Sequence, residues 1–331
     1  MTQNVLITGG AGFIGAHLVR RLLDAGHRVH LVDNFARGVD DPTLATLLAR
    51  DGVSFSRTDC LDTRAVAALP LDFNVIVHLA AIVGVVHVTQ QPYRVMVDNS
   101  NLLSNLIEHA RRQRHLRRLM FASTSEVYAG TLEHFGLSIP TPESTPVALP
   151  DLARPRTSYM LSKLVGEALC HYSGLPITVF RPHNVYGPRM GSAHVVPELL
   201  KRAYDARDGD VLTVASVDQT RSFCYIDDAV EMLSRMMDSP DCAGQTLNLG
   251  TERPEVTIAD VANICMAVVG RNLRIEPRPA PAGSPARRAP DMTRTAALTG
   301  YVSRISLREG IERTFDWYRR NVFENAGITA H

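Results

Sequence analysis

A glycine-rich turn near the start of the chain constrains the fold more than any other feature. An apolar run over residues 4–7 leads through the turn into a helical pattern over residues 13–25, and the spaced glycines are Gly9, Gly12 and Gly15. This spacing lets the backbone turn tightly, approach a pyrophosphate and pack a helix against a strand. Phe13 and Ile14 then begin a helix whose unpaired N–H groups face the phosphates. The sequence therefore predicts a strand–turn–helix unit that binds a dinucleotide.

Short apolar runs continue to alternate with helical patterns through the first half of the chain. Further strands are predicted over residues 28–32, 75–77, 118–121 and 177–180, and a helix over residues 99–112. Such alternation is typical of a parallel sheet that is covered by helices on both faces and binds ligands at the carboxyl ends of its strands. We predict an α/β fold in which residues 1–180 form a Rossmann-type doubly wound parallel sheet that binds the cofactor.

Prolines and loops become more common after residue 181. Residues 277–290 form an irregular, proline-rich stretch, and residues 306–320 have the pattern of an amphipathic helix. We predict that residues 181–331 form a smaller C-terminal α/β lobe that mainly binds the substrate. Some of its segments are expected to return to the Rossmann domain.

Composition excludes several classes of protein. The 331 residues carry a net charge of +1, so the basic run at residues 111–118 is interpreted as a solvated helix end and not as a nucleic-acid site. The five scattered cysteines have no CxxC spacing, which favours a reducing compartment over disulfides or zinc. The early first strand leaves no room for a signal peptide, and no apolar stretch is long enough to span a bilayer. We expect a cytoplasmic protein with no metal site, nucleic acid or membrane partner.

Asp33 lies at the end of the second predicted strand and indicates which dinucleotide is bound. A carboxylate at this point can accept hydrogen bonds from the adenosine ribose hydroxyls and would repel a 2′-phosphate. Asn34 follows it, where an NADP enzyme often has arginine. The sequence therefore favours NAD over NADP.

Tyr159 and Lys163 are four residues apart, so on a helix they share one face. A free tyrosine has a pKa of about 10 and is a poor base at neutral pH. We expect the Lys163 ammonium and a positive nicotinamide ring to lower that pKa, and Lys163 also to hold the nicotinamide ribose. Tyr159 is then the general base and Lys163 its electrostatic partner. The alternative is an ordinary pair on a helix surface.

Several motifs together resemble the extended short-chain dehydrogenases/reductases, in the nucleotide-sugar epimerase/dehydratase branch. They occur in the family's order over essentially the whole chain, and they are residues 8–15, 78–81, 123–128, 159–163, 181–188 and 221–223. The resemblance implies a homodimer formed through two helices of each subunit, one of them carrying Tyr159. It also implies further cofactor contacts, at Asp59, Cys60, Leu79, Ala80, Ala81 and Asn99.

The family resemblance also assigns residues around the reacting sugar. Thr124 matches the Ser/Thr position that hydrogen-bonds the reacting hydroxyl. Asn184, Arg221 and Arg288 match positions that bind the diphosphate of a nucleotide sugar, for which a guanidinium fork is well suited. His194 is a weaker substrate-binding candidate, because a lone histidine is little evidence. His78 is interpreted as structural.

The role of Glu126 distinguishes between the possible reactions. The run Thr124-Ser125-Glu126 resembles dehydratases and UDP-glucuronate decarboxylases, in which a carboxylate beside C5 of a 4-keto sugar moves a proton or assists loss of carbon dioxide. Ser125, a substrate-binding candidate, replaces the acid that dehydratases use at C6. Glu126 can instead simply hydrogen-bond a sugar hydroxyl or a backbone N–H.

We therefore predict an NAD-dependent enzyme that acts on a nucleotide sugar, with a UDP-sugar favoured, through a transient 4-keto intermediate. Epimerisation at C4 is the nominal prediction, because the elimination acid is missing at Ser125. Dehydration and decarboxylation that use Glu126 stay open as alternatives. A non-catalytic NAD-binding sensor is a remote alternative from another class.

Overall fold

The computed structural model of the protein describes residues 2–280 and 285–324. The strands are β1 (Asn4–Thr8), β2 (Arg28–Asp33), β3 (Val53–Arg57), β4 (Val75–His78), β5 (Arg118–Ala122), β6 (Ile177–Pro182), β7 (Val185–Tyr186), β8 (Val211–Ala215), β9 (Thr220–Ser222), β10 (Cys224–Tyr225), β11 (Gln245–Leu249), β12 (Glu255–Thr257), β13 (Arg274–Arg278) and β14 (Arg287–Arg288). The helices are α1 (Phe13–Asp24), α2 (Pro42–Leu48), α3 (Thr63–Ala67), α4 (Val85–Gln90), α5 (Pro92–Arg111), α6 (Ala129–Phe135), α7 (Thr157–Tyr172), α8 (Val195–Asp205), α9 (Ile226–Asp238), α10 (Ile258–Val269), α11 (Thr293–Thr299) and α12 (Leu307–Tyr318). Two 3₁₀-helices, Ser125–Tyr128 and Pro240–Cys242, and a π-helix at Arg319–Phe323 also occur.

Seven strands form one parallel sheet in the order β11-β6-β5-β4-β1-β2-β3. The chain passes from β1 to β2 and β3 on one side, and then continues from β4 on the other side of β1. In open α/β sheets a crevice opens at such a reversal, outside the carboxyl ends of the strands. The fold therefore places a ligand cleft above β1 and its two neighbours, and the predicted doubly wound sheet is confirmed.

The alternation of side chains along β1 explains why helices cover both faces of the sheet. Val5 and Ile7 belong to one buried cluster, which also contains Leu18 and Leu22 of α1. Leu6 points to the other face and belongs to a second cluster, which contains Leu103 and Leu106 of α5. Burying both faces requires strands that are apolar at successive positions, as these are.

Helix ends differ from the sequence prediction by a few residues. The first helix ends at Asp24, one residue short of the predicted end, and Gly26 follows with φ +80°. The helix predicted from residue 99 begins at Pro92, because proline is tolerated in the first turn of a helix. The last helix is capped by Ser306, whose hydroxyl accepts a hydrogen bond from the N–H of Glu309.

The second half contributes to the large sheet as well as to smaller ones. Strand β11 extends the sheet beside β6, and α9 packs against α1. Strand β9 lies between β12 and β14, while β7 pairs with β10 and β8 with β13. In the predicted irregular stretch, β13 ends at Arg278 and β14 covers Arg287–Arg288, while residues 281–284 lie outside the described part. Within the described ranges, no helix has the length and apolar character needed to cross a bilayer.

Candidate active site

The glycine-rich turn packs against the end of β4 and leaves no space for side chains. Gly9 has φ +72°, and a Cβ atom there would lie 2.8 Å from the backbone nitrogen of Ala80. A Cβ atom on Gly15 would lie 2.3 Å from the carbonyl oxygen of Gly9. Gly12 precedes α1, and no side chain caps the start of this helix. The N–H groups at Phe13 and Ile14 therefore suit an anionic ligand such as a pyrophosphate.

Asp33 is buried at the end of β2, next to this turn. Its carboxylate accepts hydrogen bonds from the N–H of Ala11 at 3.0 Å and of Phe35 at 2.8 Å, and burial raises its pKa. Each carboxylate oxygen can accept more than one hydrogen bond, so both remain able to accept ribose hydroxyls. Asn34 is exposed, and its side chain accepts from the N–H of Ala36.

Two of the predicted cofactor contacts, Asp59 and Cys60, lie close to Asp33, where the family resemblance implies that they bind the adenine. Cys60 is buried, and burial, with the negative charges of Asp59 and Asp33, raises the pKa of its thiol to about 12. Asp59 is exposed and accepts a hydrogen bond from the N–H of Leu61 at 2.9 Å. The structure thus gathers Asp33, Asp59 and Cys60 at one end of the cleft. Contacts of these residues with the cofactor stay predictions.

The segment after β4 forms the other side of the turn. Leu79 donates its N–H to the carbonyl of Thr8 at 3.0 Å, and Ala80 and Ala81 follow it. Asn99 on α5 holds this segment, because its amide bonds both backbone groups of Ile82, at 2.7 Å and 3.0 Å. The same amide donates to the hydroxyl of Ser162 on α7 at 3.1 Å. The hydrogen bonds of Asn99 therefore position a cofactor-side segment against the helix that carries Tyr159.

Tyr159 and Lys163 lie on α7 beside the carboxyl end of β5. The Lys163 ammonium is buried and donates to the carbonyl of Ala122 at 2.8 Å, and it lies 5.8 Å from the ring centre of Tyr159. A hydrogen bond from the Thr124 side chain favours the Tyr159 phenolate. The predicted trio of Thr124, Tyr159 and Lys163 is therefore brought together.

The pKa of Tyr159 does not follow the expectation from the sequence. Burial raises it above the usual value, and the negative charge of Glu126 raises it further, while Arg37 and the hydrogen bond from Thr124 lower it. For the residues of the chain alone, the net direction of the Tyr159 pKa is therefore upward and not downward as expected. The physical reason is that desolvation of the phenolate outweighs the neighbouring cations.

A buried network extends along α7 beneath this trio. Burial lowers the pKa of Lys163 to about 8, partly opposed by Cys170 and by Glu167, one turn along the helix. Glu167 forms an ion pair with Arg181 at 2.6 Å and accepts a hydrogen bond from the hydroxyl of Ser123 at 2.5 Å. Sequence reasoning did not identify this network, although Glu167 continues the four-residue spacing of Tyr159 and Lys163.

Glu126 lies close enough to act electrostatically on Tyr159 and on Arg288. Its charge raises the pKa of Tyr159 and opposes the lowering of the Arg288 pKa that burial causes. A carboxylate that acts on both groups is near the centre of the site. This position fits either proton transfer at the sugar or a hydrogen bond to it.

Two arginines that are distant in sequence meet across a pair of parallel strands. Arg288 of β14 lies opposite Arg221 of β9, and burial and the charge of Arg288 lower the pKa of Arg221 to about 10. The Arg221 guanidinium donates to the carbonyls of Pro285, at 2.6 Å, and Ala286, at 3.3 Å. Like charges opposite each other are unfavourable, so this arrangement favours an anionic ligand.

The remaining substrate candidates lie in three separate segments of the chain. Asn184 has φ +41° and donates its amide to the carbonyl of Ser222 at 3.0 Å. Ser125 begins the 3₁₀-helix that carries Glu126. His194 is exposed and precedes α8, and its pKa is lowered by partial burial and by Arg37. Their contacts with substrate stay predictions.

His78, at the end of β4, is buried and uncharged. Burial and the charge of Lys163 lower the pKa of His78 to about 3, and this neutral ring forms a hydrogen bond with Thr8 at 2.7 Å. Across the described part of the chain, no group of three or more histidine, cysteine or acidic side chains is arranged to hold a metal ion.

Comparison with known proteins places the chain in a family. The sequence profile of the NAD dependent epimerase/dehydratase family matches residues 5–250. The chain belongs to this family. It is an NAD-dependent enzyme of nucleotide-sugar metabolism.

Similar proteins include both decarboxylases and epimerases. The chain is 31% identical to UDP-N-acetyl-alpha-D-glucosaminuronate decarboxylase of Bacillus cytotoxicus, covering 96% of this chain and 98% of the relative. It is 30% identical to UDP-glucuronic acid decarboxylase 2 of Arabidopsis thaliana, covering 96% and 69%. The crystal structure of UDP-glucuronic acid 4-epimerase from Bacillus cereus with UDP-glucuronic acid and NAD is 27% identical, with a TM-score of 0.82 and coverage of 96% and 99%.

Arg37 is the functional candidate that sequence reasoning missed. Its side chain donates to the carbonyl of Val83 at 2.6 Å, and its charge acts on both Tyr159 and His194. The available signal was a basic residue four positions after Asp33, in the loop at the carboxyl end of β2. In this family's fold such a loop borders the cofactor cleft.

Proposed function

We propose that this NAD-dependent epimerase/dehydratase family member is a UDP-sugar 4-epimerase. The observation that carries the proposal is the placement of Thr124, Tyr159 and Lys163 at the carboxyl end of β5, beside the glycine-rich turn. Tyr159 removes the proton of the C4 hydroxyl, which the Thr124 hydroxyl orients. Bound NAD supplies the hydride acceptor and a positive charge that favours the phenolate.

The geometry also supports different binding roles for the two halves of the chain. Residues 1–180 hold NAD, and residues 181–331 mainly hold the nucleotide sugar. Arg221 and Arg288 bind the diphosphate, since two adjacent guanidinium groups suit its oxygens. Asn184, Ser125 and His194 complete the substrate contacts. Relatives whose names specify UDP-sugars support uridine as the base.

Decarboxylation of a UDP-hexuronate is the second candidate. The position of Glu126, where its charge acts on both Tyr159 and Arg288, favours it, and so do the decarboxylases among the relatives. Oxidation at C4 makes the C5 carboxylate that of a β-keto acid, so the C5–C6 bond breaks with release of carbon dioxide and the electron pair stays on C5. Epimerisation retains the carbon skeleton, and the hydride returns to the other face of C4.

The two candidates are separated by incubating the protein with NAD and UDP-glucose, UDP-N-acetylglucosamine, UDP-glucuronate and UDP-N-acetylglucosaminuronate. Mass spectrometry and proton NMR identify the products. An unchanged mass with inverted C4 establishes epimerisation, while loss of carbon dioxide or water establishes decarboxylation or dehydration. Glu126→Gln then tests the role of Glu126, because it should spare epimerisation and impair decarboxylation or dehydration if the carboxylate takes part. NAD binding with no reduction by any UDP-sugar would support a sensor.

We further propose that the protein is a homodimer that works in the cytoplasm. Helices α5 and α7 pack together and leave Tyr93 and Tyr172 largely exposed, at 75% and 85%, which supports their burial by a second copy. Five free, buried cysteines support a reducing compartment. Light scattering of the wild type and of Tyr172→Glu tests the dimer, and a monomeric wild type would exclude it.

A further inference from the structure

Arg37 links the two loops that border the cofactor cleft. It lies in the loop between β2 and α2, and its Nη1 atom donates to the carbonyl of Val83, in the segment between β4 and α4. Strands β2 and β4 are the two neighbours of β1 in the sheet. The Arg37–Val83 hydrogen bond therefore spans the carboxyl end of β1, where the glycine-rich turn begins.

The Val83 side of this contact is fixed next to the reacting tyrosine. Asn99 bonds both backbone groups of Ile82 and the hydroxyl of Ser162, and Ser162 in turn donates to the carbonyl of Tyr159 at 2.7 Å. Gly84 has φ +112°, and a Cβ atom there would approach Nη1 of Arg37 to 3.8 Å. The backbone here thus gives the guanidinium a defined place.

The charge of Arg37 has no carboxylate partner among the described residues, whose ion pairs all involve other cations. Among the described residues its hydrogen bond goes to Val83, which leaves most of its five N–H donors available. This guanidinium is exposed and lacks a carboxylate partner, and a glycine-rich turn and an uncapped helix start lie in the same cleft, so it is suited to a diphosphate.

We infer that Arg37 binds the pyrophosphate of NAD from the side opposite α1 and holds a positive charge next to Tyr159. The groups that act on Tyr159 are the Glu126 carboxylate, the Arg37 guanidinium and the Thr124 hydroxyl, with the Lys163 ammonium over its ring. Among them, Arg37 opposes Glu126. Arg37 is thus a positioning residue that couples cofactor binding to the state of the general base.

The first test measures binding, with the purified protein freed of nucleotide. Isothermal titration calorimetry measures the affinities of NAD, ADP-ribose and adenosine for the wild type, for Arg37→Gln and for Arg37→Lys. We expect Arg37→Gln to weaken NAD and ADP-ribose about tenfold or more, since a charge-assisted hydrogen bond is lost, and to change adenosine less than twofold. Arg37→Lys should retain most of the affinity at low salt. Unchanged NAD binding, or equal weakening of adenosine, would overturn the inference.

Arg28→Gln is the matched control. Arg28 is exposed at the start of β2, at the opposite end of the strand from Asp33, so its loss makes the same charge change away from the cleft. It should leave NAD affinity unchanged. This binding test needs no sugar nucleotide, so its failure is distinct from failure of the proposed reaction.

The second readout is the pH profile of NAD reduction by a UDP-sugar that the wild type turns over. Without Arg37, the effect of the Glu126 charge on Tyr159 is opposed less, so the rise in rate with pH should move to higher pH in Arg37→Gln and stay in place in Arg28→Gln. A merely structural role for Arg37 would lower the rate at every pH without moving the profile, and that result would refute the coupling to Tyr159.

Discussion

Replacing Arg181 by methionine tests the buried network that lies under the catalytic residues. Arg181 and Glu167 are both buried, with guanidinium–carboxylate distances of 2.6 Å and 2.9 Å. Arg181 also donates to the hydroxyl of Tyr128 at 2.7 Å. The substitution keeps most of the aliphatic volume but leaves the Glu167 carboxylate buried without its cation.

An unpaired buried charge costs about 3–5 kcal/mol, so we expect Arg181→Met to lower the free energy of unfolding by that amount. The paired substitution Glu167→Met with Arg181→Met removes both charges. It should cost clearly less than the single substitution, about 1–2 kcal/mol, because no buried charge is left unpaired, although the Ser123 and Tyr128 hydroxyls each lose a hydrogen bond. Urea unfolding, monitored by circular dichroism, measures these differences in the free energy of unfolding, provided that the dependence of this free energy on urea concentration is similar in all variants.

An exposed ion pair provides the control. Arg308 and Glu312 lie 3.5 Å apart on α12, with 59% and 51% of their side chains exposed. Arg308→Ala should change stability by less than about 0.5 kcal/mol. The reasoning is refuted if Arg181→Met costs under about 1 kcal/mol, or if the double variant is as unstable as the single one.

Three other substitutions test the site itself. Tyr159→Phe should reduce turnover about 10²–10⁴-fold while NAD still binds, and near-normal turnover would remove Tyr159 from the role of base. Lys163→Met should abolish activity but stabilise the fold by about 2 kcal/mol at pH 7, because burial lowers the pKa of this lysine from 10.5 to about 8. The cost of the buried lysine charge is fully present below about pH 8 and fades towards pH 10.5. If the stability difference between Lys163→Met and the wild type, measured by urea unfolding, grew with pH instead, the buried charge would not be its cause. Gly15→Ala should abolish NAD binding measured by titration, since its Cβ atom would lie 2.3 Å from the Gly9 carbonyl oxygen, and wild-type affinity would show that the turn can relax.

The sequence by itself determined the fold class and the helix face that Tyr159 and Lys163 share. Strand β1, its glycines and α1 are local features, because strand alternation, tight turns and helix starts depend on neighbours within a few residues. Tyr159 and Lys163 could be paired for the same reason, since helical spacing alone puts them on one face. The start of α5 at Pro92 was not predicted, because a proline in a sequence is compatible both with the end of one helix and with the first turn of another.

Only the tertiary structure decided how charges separated in sequence act on one another. It showed that burial and Glu126 raise the pKa of Tyr159, that Arg221 and Arg288 lie opposite each other, and that Arg37 reaches Val83 across β1. Each result depends on desolvation and on distances between segments that are far apart in the chain. Pattern and spacing carry no information on either quantity, because both are set by how the sheet, helices and loops pack.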